Sequence, residues 1–422
     1  MNTENPAIDE NAFNSTDWLK SQISVPSLCD CMLELFKDPN LFLMYDRAYQ
    51  KTLRNKVRGK ILRDREVAHS LLQYQLICSR IARNWLDEFS KKRPEYLYFI
   101  SAPHNFQNYI RGKVAEYLGI PIYIGLESRV AGYAFIGKGF GRTPHLEVID
   151  PSLQNHAYSS DANSYIEKSK RDYTSAMPEY EKSRLLMNRG RYFSLKQQIK
   201  KHWTRPEYIL NSWRCWREMR RQSQPLDEVQ SPYVIFFPHY QPERTSLPEG
   251  YGFTQQAFAV LALREALPEE VRLLVKEHPS IFTLQCSPFV RWPGFYTDIS
   301  AHGGIDWVNI ESDNFALIDG ALATATISGT VGTESLLRGV PTIVFGIMKW
   351  ADSLGQHHYE ELTKLKSFVS GLTSGIYEKK AVRNAIINTI LETESRFAIA
   401  TDERNSHKWV NSAITQSRER IG

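Results

Sequence analysis

Between residues 233 and 346 short apolar runs alternate with helical segments at nearly minimal spacing, and this alternation restricts the fold more than any other feature. YVIFFP (233–238) precedes a helical pattern near 254–266. VRLLVK (271–276), a strand ending at VNI (308–310), a helix near 312–320, ATATIS (323–328), a helix near 331–338 and PTIVFG (341–346) follow in turn. Strands apolar on both faces and separated by helices predict a parallel sheet, because the crossover helices bury both of its faces. A shorter version lies earlier: YLYFISA (96–102), a helix over 106–118 and IPIYIGL (120–126) read as one βαβ unit. At 422 residues the chain also exceeds the roughly 250–300 residues at which one core stops growing. The expected architecture is α/β, with two Rossmann-like domains built on parallel sheets. They occupy residues 1–180 and 231–395, with a basic helical linker over 181–230 and a C-terminal helix over 396–422.

Composition excludes several classes. Hydrophobic residues at 42% and charged residues at 23% match a globular chain and exclude disordered or fibrous ones. No apolar run approaches the roughly 18 residues of a membrane helix, and MNTENPAIDE lacks the basic and apolar regions of a signal peptide, so a cytosolic location is expected. Cys29 and Cys31 have no neighbouring pair or histidine to complete a zinc site, which predicts reduced thiols. The net charge is only +5, but residues 182–221 hold twelve Lys and Arg against Glu207 and Glu218, a local net of +10. Trp203, Trp213 and Trp216 interleave with those cations. The pattern suits linker helices whose tryptophans pack inward, or a face lying on anionic lipid at the inner side of the cell membrane. A nucleic-acid partner is not expected, since no RNA-binding or helix-turn-helix motif accompanies the charge.

In open parallel sheets ligands bind beyond the carboxyl ends of the strands. Three polar runs sit there. PHYQPERTS (238–246) carries His239, Gln241, Glu243 and Arg244 directly after a buried strand, too polar for core, and is expected to face a cleft or water. KEHPS (276–280) places Lys276 and His278 where they can meet a phosphate oxygen, with Pro279 fixing the chain direction. SGTVGTES (328–335) is a Gly-rich turn into a helix. Gly329 and Gly332 would let the backbone approach an anion, Ser328 and Thr330 offer hydroxyls, and the helix N-terminus offers N–H groups, although the same letters could cap a helix without a ligand. No GKS or GKT follows, so this is no Walker loop. Gly137, Gly139 and Gly141 in FIGKGFGR lack the strand that a dinucleotide fingerprint needs and read as a loop. No DxD pair is present to hold a divalent ion on a diphosphate, so a metal-independent site with no cofactor is expected.

HYQPERTS, VKEHPS and TISGTVGTESLLRGVPTIVFG (326–346) together resemble bacterial capsule and surface polysaccharide glycosyltransferases of GT-B fold that use CMP-activated ulosonic acids, among them the retaining β-Kdo transferases. The resemblance covers 233–346, with a further match in APHNFQNYIRGKVAEYLGIPIYIGLESR (102–129) on the acceptor side. It implies that His278 and Pro279 contact the CMP phosphate, that Ser328, Gly329 and Thr330 hold phosphate or cytidine, and that Glu334 lies near the ribose. The family also has a Gln followed four residues later by an Asp, the proposed nucleophile. Here the pair is Gln241 and Thr245, a departure that either removes the covalent route or moves the carboxylate role to Glu243.

The expected activity is transfer of an ulosonic acid (Kdo, pseudaminic, legionaminic or sialic-like) from a CMP-sugar to an oligosaccharide or lipid-linked glycan. CMP leaves as a monophosphate, whose charge His278, Lys276 and the 328–332 amides can meet. Glu243 would support the oxocarbenium-like carbon and Glu127 would activate the acceptor hydroxyl. Two alternatives stand beside this one: a nucleotide-sugar 2-epimerase on the same fold, and a non-catalytic, membrane-peripheral scaffold of polysaccharide assembly.

Overall fold

In the computed structural model of the chain, the alternation over 233–346 supplies five strands of a seven-stranded sheet in which every neighbouring pair is parallel. The structure describes residues 41, 64–103, 105–128, 130, 132–139, 145–146, 157–171, 183, 192–203, 206–225, 232–241, 243, 245–246, 249–283, 290–346 and 353–400. Two units are separable, Met1–Leu97 with Asn105–Pro121, and Tyr98–His104 with Ile122–Gly422. This is a different partition from one with boundaries at 180 and 230.

The first unit contains α1 (Asp64–Lys91), and the chain then enters β1 (Leu97–Phe99) and α2 (Phe106–Tyr117). Cys78, Ile81, Ala82 and Phe89 recur at helical spacing on α1 and are buried, as are Ile110 and Val114 of α2. Asn105 starts α2 by accepting the Asn108 amide at 2.8 Å. The Arg111 guanidinium lies 4.5 Å over the Trp85 ring, where burial lowers its pKa.

The second unit opens with β2 (Ile122–Glu127), β3 (Tyr133–Lys138), β4 (His145–Leu146) and α3 (Tyr158–Arg171). Here the expectation of a parallel sheet fails: β2 and β3 pair antiparallel. Only residues 128–132 join them, and a parallel crossover needs a dozen residues or more. A Cβ at Gly125 would stand 2.3 Å from the Ile100 carbonyl oxygen, so the backbone at 100 passes too close to β2 for any other residue.

The chain continues through α4 (Leu195–His202), α5 (Pro206–Gln222), β5 (Ser223–Gln224), β6 (Tyr233–Phe237), α6 (Ala257–Ala266), β7 (Arg272–Val275), α7 (Ser280–Thr283) and α8 (Phe295–Ser300). After these come β8 (Ile305–Val308), α9 (Asn314–Asp319), β9 (Ala323–Thr326), α10 (Val331–Leu337), β10 (Thr342–Val344), β11 (Gln356–His358), α11 (Leu362–Thr373), α12 (Lys380–Phe397) and β12 (Ile399–Ala400). Strand order in the large sheet is β11-β10-β9-β6-β7-β8-β5. Val234, Ile235, Phe236, Leu273, Leu274, Val275, Ala323, Ala325 and Ile343 are fully buried, as central strands covered on both faces require.

Two departures follow. The segment expected as a linker is part of the large sheet's own layer, since β5 pairs with β8 and α5 packs on α8 and β8. Where a C-terminal helix was expected from 396, α12 ends at Phe397 and β12 pairs antiparallel with β3; residues beyond 400 lie outside the described ones. Above that pairing the Tyr158 hydroxyl donates to the Glu394 carboxylate, and Ser128 Oγ lies 3.3 Å from the same hydroxyl. Glu394 is only 2% exposed, and burial pushes its pKa up from 4.5 to about 7.

Candidate functional site

The candidate site is the carboxyl edge of the large sheet where β9, β6 and β7 lie side by side. From β6 the chain proceeds outward to β7 and β8, then returns to β9 on the other flank of β6. The crossovers from β6 and β9 therefore run toward opposite flanks of the sheet, and such a switch point is where an open α/β sheet takes its ligand.

On β6 the run 238–241 is less open than its polarity suggests. His239 is 9% exposed rather than facing water, and its own backbone is clamped by Gln256. The His239 amide donates to Gln256 Oε1 at 2.7 Å and the His239 carbonyl accepts from Gln256 Nε2 at 3.1 Å. The Ser328 amide donates to His239 Nε2 at 3.1 Å, which makes Nε2 an acceptor and puts the proton of the neutral ring on Nδ1. Burial is possible here because each polar atom used has a partner, the condition under which a buried imidazole costs little.

That arrangement changes the reading of the 328–330 turn. The Ser328 amide is taken by His239, and the Gly329 amide by Thr326 Oγ1 at 3.2 Å. A Cβ on Gly329 would meet Thr326 Oγ1 at 2.7 Å and His239 Cε1 at 3.2 Å, so the glycine is needed for close packing on the histidine. Ser328 Oγ donates to the Thr245 carbonyl at 2.7 Å and so ties the turn after β9 to the turn after β6. Thr330 is exposed, and Glu334 is half-buried in α10.

Gln241 is 3% exposed. Its Nε2 donates to the Thr254 carbonyl, and its Oε1 is buried with no hydrogen-bond partner among the described residues. Glu243 is exposed, and its carboxylate accepts the Thr245 hydroxyl at 3.2 Å. Arg244 lies outside the described residues.

Beyond β7, Lys276 is 4% exposed and donates through Nζ to Asn314 Oδ1 at the start of α9. His278 Nδ1 accepts the Ser280 amide at 3.1 Å, which makes Nε2 the donor nitrogen. Pro279 opens α7, its carbonyl accepting from the Phe282 amide at 3.2 Å. Between Lys276 and His278 stands a residue the motif reading passed over. Glu277 is 1% exposed, pairs with Arg291 Nε at 2.7 Å and Nη2 at 3.1 Å, accepts the Tyr296 hydroxyl at 2.9 Å and takes the His278 amide at 2.8 Å. Four hydrogen bonds from three residues on one buried carboxylate hold the KEHPS turn rigid. Its partner lies fourteen residues on, with no spacing rule to announce it.

The structure thus places Gln241, Glu243, Lys276, His278, Pro279, Ser328, Gly329 and Thr330 along one sheet edge. It links the β6 and β9 turns directly. Glu127 stands apart, at the end of β2 opposite Ala134 in the other sheet, and its side chain lies outside the described residues. A surface concavity of about 900 Å³ lined by Phe258, Arg264, Arg272 and Gly304 lies at the amino ends of β7 and β8, the opposite edge of the sheet. No helix among the described residues is long and apolar enough to cross a membrane.

No protein-family model and no curated protein matches the sequence. Solved structures similar to it include the β-Kdo 2,7 transferase of Thermosulfurimonas dismutans KpsC, at 13% identity over 69% of this chain and 80% of that one, with a TM-score of 0.32. The β-Kdo 2,4 transferase of the same protein is 18% identical over 39% of this chain, with a TM-score of 0.25, and the match spans only 55% of that transferase's length. The UDP-GlcNAc 2-epimerase of Neisseria meningitidis is 13% identical over 81% of this chain and 82% of that one, with a TM-score of 0.27.

Proposed function

We propose that the chain is a glycosyltransferase of the two-domain GT-B type that moves an ulosonic acid from a CMP-sugar to an oligosaccharide or lipid-linked glycan acceptor, without a metal. The observation that carries the reading is the tautomer of His278. With Nδ1 accepting from Ser280, Nε2–H is the ring's donor, just past the carboxyl end of β7 and two residues along the chain from Lys276. A departing CMP phosphate builds up negative charge on its bridging oxygen, and donors fixed in advance stabilise that charge without reorganising. The buried Oε1 of Gln241 is an acceptor for a hydroxyl or amino group of the donor. Glu243 is the carboxylate nearest in sequence to the family's nucleophile position. Attack by its oxygen on the anomeric carbon as CMP leaves would give a glycosyl ester, which an acceptor hydroxyl then cleaves with net retention, Glu127 taking the hydroxyl proton.

The test is a calorimetric titration of CMP in the presence of a chelator. Wild type should bind, and His278→Ala should weaken binding by about 1–3 kcal/mol, the cost of an unmade charge-assisted hydrogen bond. Unchanged affinity in the folded variant, or an absolute need for magnesium, overturns the assignment. Conversion of UDP-N-acetylhexosamine without an acceptor would replace transfer by 2-epimerisation. Absence of CMP binding at millimolar concentration would leave the scaffold reading.

A further inference from the structure

We propose that the outward face of α4 and α5 docks on an anionic bilayer. The proposal deepens the transferase reading, which calls for an acceptor held on lipid, but its test uses no sugar, so each can fail alone.

The two helices are clearly sided. On α5, Tyr208, Asn211, Ser212, Cys215 and Met219 are buried, whereas Leu210, Trp213, Arg214, Arg217 and Arg221 recur three and four residues apart on the opposite face and are exposed. The inner face is tethered: Asn211 Nδ2 donates to the Arg291 carbonyl at 2.9 Å, and the Glu218 carboxylate accepts the amides of Gly294 at 3.0 Å and Thr297 at 2.7 Å. On α4, Gln198 donates inward to the Phe282 carbonyl at 2.7 Å, while Leu195 and Ile199 stand one turn apart on the outside. The His202 ring stacks on Tyr208 with centroids 5.8 Å apart, setting the end of α4 against the start of α5. The tryptophans divide accordingly. Trp216 points inward onto Phe193 and Phe282, and Trp203 and Trp213 point outward.

Single exposed apolar side chains are ordinary, but a cluster on one face is not. Among the described residues, five of the ten exposed large hydrophobics, Leu195, Ile199, Trp203, Leu210 and Trp213, fall on these two helices and the turn between them, with Trp203 at 70% exposure. Around them stand exposed Lys196, Lys200, Arg214, Arg217, Arg220 and Arg221, against Glu207 as the one exposed acid described on either helix. The Arg217 guanidinium lies 4.7 Å over the Trp213 ring.

Charge selects the occupant. A symmetric second copy would set this patch against itself, cation facing cation. A nucleic acid would pair with the cations but has no use for Leu195, Ile199 and Leu210, since bases stack on aromatic rings and not on aliphatic chains. A bilayer with anionic headgroups answers both parts: headgroups meet the Lys and Arg ends, and aliphatic and indole groups enter the interface.

The experiment is co-sedimentation of the full chain with phosphatidylcholine vesicles, with and without phosphatidylserine, at low and high salt. Wild type should bind only the phosphatidylserine vesicles and lose them at high salt. Replacing Arg214, Arg217, Arg220 and Arg221 together by Ser should weaken binding at least about a hundredfold. Trp203→Ala with Trp213→Ala should weaken it about tenfold while leaving its salt dependence in place. All six positions face solvent, and unchanged melting shows that the variants fold. Wild-type indifference to anionic vesicles, equal binding to neutral ones, or full binding by the Arg variant overturns the proposal. Binding of single-stranded RNA instead, or a dimer dissolved by the Trp pair, assigns the face to those partners and likewise overturns it.

Discussion

Two histidines one strand apart show how neighbours decide what the same ring can do. His239 accepts an amide through Nε2 and is a packing element on which the Gly329 turn rests, whereas His278 accepts through Nδ1 and keeps Nε2 as its donor. Glu243 and Glu277 differ in the same way. The first is exposed with a single hydroxyl donor, and the second is locked by Arg291, Tyr296 and a backbone amide. A nucleophile has to reach its carbon, and of these two carboxylates Glu243 is the exposed one. Glu243→Gln should hold CMP affinity while turnover falls at least about a hundredfold, on the order of 3 kcal/mol of transition-state stabilisation, measured by single-turnover kinetics with a CMP-sugar. Near-normal turnover removes Glu243 from the mechanism. The polar letters of this edge were legible because such residues stand out after apolar strands. Their hydrogen-bond partners were not, since Gln256 is seventeen residues from His239 and Arg291 fourteen from Glu277, distances that carry no periodic signal.

At the scale of elements, the central strands were readable to within a residue or two because β6, β7, β9 and β10 are buried on both faces and leave unbroken apolar runs. Two-residue edge strands such as β5 and β12 have too few side chains to show a period, and their pairing depends on distant sequence. The helix that carries the chain toward β12 holds a buried acid, and this makes its docking sensitive to pH. Glu394 in the folded chain has its pKa raised to about 7 from the 4.5 of an unfolded one, so between those values the folded state keeps a proton that the unfolded state has lost. Stability should therefore fall as pH rises from about 4.5 to 7 and level off above, with a total loss from this group of about 3 kcal/mol. Glu394→Gln keeps an acceptor for Tyr158 without the charge. It should exceed wild type in urea unfolding at pH 8 by about that amount, and the gap should close toward pH 4.5. An equal gap at both values would assign the effect to packing instead.

At the scale of the whole molecule, the parallel sheet follows from local alternation, but the smaller sheet does not, because it is assembled from strands distant in sequence. β4 covers Gly137 and Lys138 along one edge of β3, and the same edge at Tyr133 and Ala134 is covered by Ala400 and Ile399. No window of sequence near 133 contains that partner. A chain stopped at 398 should therefore keep slow amide exchange across β6, β7 and β9 while losing protection at Ala134, whereas the Tyr133 amide, which donates to the Val130 carbonyl at 3.3 Å, should keep its own; protection retained at Ala134 would show that β12 adds nothing. The order of events during synthesis follows from the same pairing. A ribosome that has delivered β3 must add some 260 residues before Ile399 emerges, and the large sheet, whose strands all lie between 223 and 358, can form in the meantime. Until then β3 waits with half an edge open to any passing strand, so the interval before Ile399 is made is when this edge is most exposed to wrong pairing.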